Sequence, residues 1–145
     1  MNENDDFGNA LRNFRVKNVN RIIVATLNIN SIRNKFDHLK LSIMGNIDIL
    51  VITETKLDET FATANFMIDG FAKPYRRDRN GNGGGILIYV RDDIPSKELN
   101  IHNHPVDIDG IFVELNFRKS KWLCLGLTIH LVNLMNIIST RCLVL

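Results

Sequence analysis

Cysteine is scarce in this chain: Cys124 and Cys142 are the only two among 145 residues. Two thiols cannot build a disulfide framework, which excludes the small stapled secreted class and points to a reducing compartment. An excess of charge of one sign is lacking as well. Eighteen basic residues against sixteen acidic ones leave a formal net charge of +2, too little to argue for a nucleic-acid partner from composition. No apolar run opens the sequence; MNENDDFGNALRNF is polar and acidic, unlike a signal peptide. The apolar stretch 122–145 is broken by His130, Asn133, Asn136, Ser139, Thr140 and Arg141, so a membrane span is not expected. Repeats, low-complexity linkers and a nucleophile elbow are all missing. These absences leave an intracellular protein, cytoplasmic or nuclear, without a membrane partner and without the marks of serine or cysteine nucleophilic catalysis.

What is present suffices for one domain with a real core, with 45% hydrophobic and 23% charged residues. Residues 1–19 read as a flexible lead-in with one helical turn near residues 10–14. Two β-branched runs follow, over residues 21–27 and 47–53, each stopping abruptly at polar residues. Between them Ile32, Phe36, Leu39 and Ile43 recur at helical spacing, with Ser31 as N-cap and Gly45-Asn46 as the stop. The second run has almost no polar alternation. That predicts a strand buried on both faces and paired in parallel with the first.

Past a loop with a short helix or turn over residues 57–67, a strand pair is expected at 71–76 and 85–90 around a Gly-rich turn. Ile111, Val113 and Leu115 alternate with Phe112, Glu114 and Asn116, which predicts a strand with one solvated face. RKSK is its hairpin turn and KWLCLG begins the partner strand.

Asn28 and Glu54 end the two successive strands, where open α/β sheets carry their chemistry. A carboxylate there suits Mg²⁺, which takes one or two protein carboxylates and keeps its waters for phosphate oxygens. The plainer roles are a loop glutamate and an asparagine satisfying backbone groups at a strand end. Lys73, Arg76, Arg77, Arg79 and Arg91 make a local basic cluster that fits either a polyanion or a solvated hairpin. Gly83-Gly84-Gly85 precedes a strand rather than a helix, so it reads as a bulge or close backbone approach and not as a phosphate loop. His102 and His104 lack a third ligand at sensible spacing.

The strings TLNINSIRNKF, DILVITETKLD and GFAKPYRRDRNGNGGGILIYVRDDIPSKEL, in this order, carry a resemblance. The chain resembles the endonuclease/exonuclease/phosphatase superfamily. More narrowly, it is similar to the apurinic-type endonuclease domain of non-LTR retrotransposon polyproteins, over about residues 21–126 and so its N-terminal half only. The resemblance implies an incomplete four-layer α/β sandwich and hydrolysis of a DNA phosphodiester with Mg²⁺ (or Mn²⁺), without any other small-molecule cofactor. It places Asn28 in the active site and Glu54 on the metal, with Asn30 as a neighbour. Arg76, Arg77 and Arg79 are then the expected DNA contacts.

The departures matter as much. After KWLCLG the family needs a Tyr-x-Pro, an Asp-x-Asn and a Ser-Asp-His, and none follows here. Read from the third base of the Gly126 codon, one allowed back-translation of residues 127–142 gives TYYPLSQSDEYYFNKV. Residues 127–145 are therefore expected to be an apolar tail out of frame with the family, behind a partial domain at residues 20–126. The expectation for this chain is a truncated endonuclease with little or no hydrolysis. The alternatives are a catalytically dead nucleic-acid-binding fragment and a phosphatase-type member of the same superfamily.

Overall fold

Every residue of Ile49–Thr53 (β2) is buried, because the two faces of this strand meet two separate apolar layers. The computed structural model describes residues 3–100, 108–129 and 140–144. β2 pairs in parallel with Val24–Asn28 (β1), in the register that sets Asn28 beside Thr53. This is the pairing that the unbroken apolar run predicts. On the other side of β2 lies a hairpin of Tyr75–Arg77 (β3) and Ile86–Val90 (β4), giving the order β1-β2-β4-β3.

One face of this sheet carries Leu50, Ile52, Leu87 and Tyr89 against Phe36, Leu39 and Ile43 of the helix Phe36–Ile43 (α2). Phe66, Ile68 and Phe71 close the layer, with Phe36 edge-on to Phe66 at 5.2 Å and Phe71 edge-on to Tyr89 at 6.1 Å. The Tyr89 hydroxyl donates to the carbonyl of Phe66 at 2.9 Å, and burial pushes its pKa well above the usual phenol value. A longer helix, Glu3–Lys17 (α1), lies on α2 and sets Leu11 against the same cluster.

The opposite face carries Ile49, Val51, Ile86, Ile88 and Val90. These pack on a second, antiparallel sheet of Ser96–Glu98 (β5), Ile108–Phe117 (β6), Ser120–Ile129 (β7) and Thr140–Val144 (β8), paired in chain order. Ile111, Val113, Leu115 and Cys124 supply its inner face, as the alternation in β6 predicts.

This architecture corrects the expected incomplete four-layer α/β sandwich. Among the described residues the chain is mostly β, a mixed sheet on an antiparallel one, with just two α-helices of 15 and 8 residues. Both helices pack with the first sheet, and among the described residues none covers the second. The reason lies in the connections. Only the parallel β1–β2 pair needs a helical crossover, whereas the antiparallel neighbours β3–β4 and β6–β7 are joined directly by turns.

Local expectations shift for similar reasons. α2 begins at Phe36 rather than after Ser31: Asn30 and Ser31 hold left-handed backbone, the Ser31 and Ile32 amides donate to the carbonyls of Glu54 (2.8 Å) and Thr55 (3.1 Å), and a separate turn closed by the Lys35 amide on the Ile32 carbonyl (3.0 Å) comes before the helix. The first two bonds prolong the strand pairing. The strand expected at residues 71–76 shortens to β3, behind Pro74, which has no amide hydrogen for a ladder. The lead-in is helical along Glu3–Lys17. β7 runs through Gly126 to Ile129 and β8 pairs back on it. His102, His104 and residues 130–139 of the expected tail lie outside the described residues. Among the described residues no helix is long and apolar enough to cross a membrane.

Candidate functional site at the carboxyl ends of the parallel strands

The ladder of the first sheet ends in one cross-strand row, Asn28–Thr53–Ile86–Arg77. Glu54 follows directly, so the two residues singled out from sequence do meet at one end of the sheet. The backbone there is unusual. Asn30 (φ 45°), Ser31 (φ 80°), Glu54 (φ 57°) and Lys56 (φ 53°) all adopt the left-handed region, and they are the only non-glycine residues among those described that do. Each such residue costs about 1–3 kcal/mol and persists only where surrounding bonds over-determine it. Here those bonds are Ser31 and Ile32 to the β2 end, and the amides of Thr55 and Lys56 to the carbonyls of Gly85 (3.3 Å) and Gly84 (2.9 Å).

The Gly-rich turn makes this closure possible. A Cβ on Gly85 (φ 90°) would sit 2.3 Å from Thr55 Oγ1, so no other residue fits without displacing β2's extension. This is the close approach expected of the glycine run. The Gly84 amide donates to Glu54 Oε2 at 2.9 Å. Glu54 Oε1 accepts no hydrogen bond among the described residues. Asn28 Oδ1 accepts the Asn30 amide at 3.2 Å, an Asx-type turn. That is the plainer role weighed for it, and it still leaves the Nδ2 hydrogens without a protein acceptor among the described residues.

Positive charge gathers around this end from residues that the sequence did not single out. Lys56 Nζ donates to Asn30 Oδ1 at 2.6 Å, and Lys35 Nζ to the carbonyls of Ile29 (2.5 Å) and Asn30 (3.1 Å). The Arg33 guanidinium donates to the Lys56 carbonyl at 2.8 Å and lies 4.7 Å from the Phe61 ring centre. Asp58, 3.8 Å from Arg33, is held below the usual carboxylate range by the Thr60 hydroxyl and amide, with smaller help from Arg33 and Arg76. Lys56 lies in the ETK string, and Arg33 and Lys35 in TLNINSIRNKF, yet none of the three stood out as a site residue.

The expected DNA contacts separate. Arg79 is exposed, and its side chain packs over Gly84, where a Cβ would meet its Cδ at 2.7 Å. Arg77 sits in the terminal ladder row. Neither has an ion-pair partner among the described residues. Arg76 is spent within the fold. Its guanidinium donates twice to Asp78 (2.8 and 2.7 Å) and also to the carbonyls of Phe61 (2.6 Å) and Asp58 (2.7 Å). Arg91, counted in the same basic cluster, binds Asp48 and Asp93 at the opposite end of the sheet.

The donor set suits a hard cation held by few protein ligands. Glu54 offers one uncommitted carboxylate oxygen, and among the described residues no cluster of three His, Cys, Asp or Glu forms a fuller metal cage. The Thr53 and Thr55 hydroxyls on either side of it are buried and meet no hydrogen-bond partner among the described residues. Buried polar groups left in that condition cost about 1–3 kcal/mol each and are rare away from functional sites. No protein-family model matches the chain, and no curated protein matches it.

Proposed function

We propose that this corner binds a divalent cation, Mg²⁺ or Mn²⁺, through Glu54 and a phosphodiester of DNA beside it. The site is of the type found in retrotransposon endonuclease domains of the endonuclease/exonuclease/phosphatase superfamily. The observation that carries the reading is the meeting of Asn28 and Glu54 at the carboxyl ends of adjacent parallel strands, on backbone locked into four left-handed residues. The bound cation supplies Lewis-acid charge to a phosphoryl oxygen. Glu54 Oε1 is the ligand left open for it, while the Gly84 amide fixes the other oxygen. The Asn28 amide hydrogens donate to a phosphate oxygen. Lys56 and Lys35 hold the Asn30 loop and add positive potential, and Arg77 and Arg79 meet the flanking strand.

In this chain the corner grips more than it cuts. Among the described residues Glu54 belongs to no group of three His, Cys, Asp or Glu, and the Ser-Asp-His that the family resemblance leads one to expect is not in this sequence. A hydrolase without those groups loses most of its transition-state stabilisation. Retention of a labelled duplex on the full chain, with and without Mg²⁺, tests the proposal alongside nicking of supercoiled plasmid. The expected result is retention that rises with Mg²⁺ and falls on Glu54→Gln, with nicking near background. Retention indifferent to Mg²⁺, to Glu54→Gln and to Arg79→Ala removes the site. Robust nicking abolished by Glu54→Gln keeps the site and overturns its low turnover.

A further inference from the structure

A groove of about 760 Å³ runs between α1, α2 and the end of β1, within the size range of small-ligand sites. Phe7, Arg12, Asn28, Lys35, His38 and Leu41 give it its chemistry. Phe7 and Leu41, on different helices, are 51% and 76% exposed. Two large apolar side chains therefore stand open to solvent on its walls. Arg12 and Lys35 bring fixed positive charge, and no carboxylate is among the described side chains that line the groove. Arg12 has no ion-pair partner among the described residues, whereas its neighbour Arg15, one turn on, is bound to Asp48 at 2.6 Å. Asn28 closes one end and belongs also to the corner described above.

An exposed aromatic ring beside cations that no described carboxylate neutralises is the chemistry that recognises an unstacked base and its phosphate. We propose that this groove seats one unpaired nucleotide of a DNA strand, its base against Phe7 and Leu41 and its phosphate against Arg12 and Lys35, while the strand continues over Asn28 into the Glu54 corner. The proposal rests on the reading of that corner as a nucleic-acid site. It adds a preference: a duplex keeps its bases stacked inward and offers Phe7 no ring face, so an unpaired strand binds better.

The probe is a labelled 12-nucleotide oligodeoxynucleotide, single-stranded or annealed to its complement, titrated against the full chain with Mg²⁺. The single strand is expected to bind more tightly than the duplex. Phe7→Ala weakens single-strand binding by about tenfold and leaves duplex binding nearly unchanged. Arg12→Ala lowers the slope of log affinity against log salt by about 0.7 for the single strand. Both side chains are exposed, so neither change threatens the fold. If both variants bind the single strand like the unaltered chain while Arg79→Ala weakens it, the groove is overturned and the corner stands. If the unaltered chain retains neither form, both fall.

Discussion

The two ends of the β1–β2 pair use polar groups in opposite ways. At the amino end, Asp48 is 1% exposed and fully engaged. Its Oδ2 accepts from the Arg15 guanidinium at 2.6 Å and from the Ile23 amide at 2.7 Å, and its Oδ1 accepts from Arg91. Arg15 goes on to the carbonyls of Asn46 (3.2 Å) and Arg21 (3.1 Å), and Arg91 to Asp93. At the carboxyl end, Glu54 keeps an oxygen open and two buried hydroxyls lack partners among the described residues, and four residues are held in left-handed backbone. A buried charge with every bond made is a device for holding chain segments together. A half-buried charge with bonds to spare, on strained backbone, is a place for a ligand. The same sheet is thus stapled at one end and left open at the other.

The comparison breaks most visibly at the staple. Asp48→Ala strands two guanidinium groups and an amide, and a loss of about 3–5 kcal/mol of stability is expected in denaturant unfolding. A loss under 1 kcal/mol would show that α1 and the β4 end are not tied through this carboxylate. Gly85→Ala comes next. Its φ and the Thr55 contact predict a cost of about 2–3 kcal/mol, together with weaker Mg²⁺-dependent DNA retention, since Lys56 and Glu54 are held by the same turn.

Two changes at the open end sharpen the contrast in the other direction. Thr53→Val keeps the shape and removes a hydroxyl without a described partner, so a gain of about 1 kcal/mol is expected. Unchanged or lower stability would mean that the hydroxyl is satisfied in solution. Glu54→Gln should move stability by less than about 0.5 kcal/mol while abolishing the response of DNA retention to Mg²⁺. A carboxylate that mattered to the fold as Asp48 does would fail that test.

The smallest effect concerns pH. The Arg91 hydrogen bond holds Asp93 below its ordinary value of 3.8. A depressed carboxylate contributes stability above its unfolded pKa and loses it as pH falls through the folded one. Stability profiles of the unaltered chain and Asp93→Asn should therefore differ slightly at neutral pH and converge below pH 3.8. Asp93 is 61% exposed, so solvent screening keeps the difference small.

Much of the corner was legible because it depends on short stretches. The β-branched runs, the helical spacing of Phe36, Leu39 and Ile43, and the polar stops at Asn28 and Glu54 are local patterns, and the β-α-β unit follows from them. The glycine run read correctly as a close approach for the same reason. The four-layer count came from the resemblance, whereas the alternation of β6, with Glu114 and Asn116 on its outer face, already spoke for a solvated face without a covering helix. The basic cluster divides in the fold. Arg76, Arg79 and Arg91 look alike in sequence, yet one is buried in bonds to Asp78 and the loop carbonyls, one lies over Gly84, and one crosses to Asp48.

The sequence by itself determined where the parallel strands run and which residues stand at their ends, because side-chain periodicity and turn chemistry act within a few residues of one another. Only the tertiary structure decided which charges remain available for a ligand and which are consumed. It also decided that Phe7 and Arg12 of the first helix would come to stand beside Asn28. A guanidinium's fate depends on the carboxylates and carbonyls that folding carries to it across tens of residues, and no local pattern encodes that meeting.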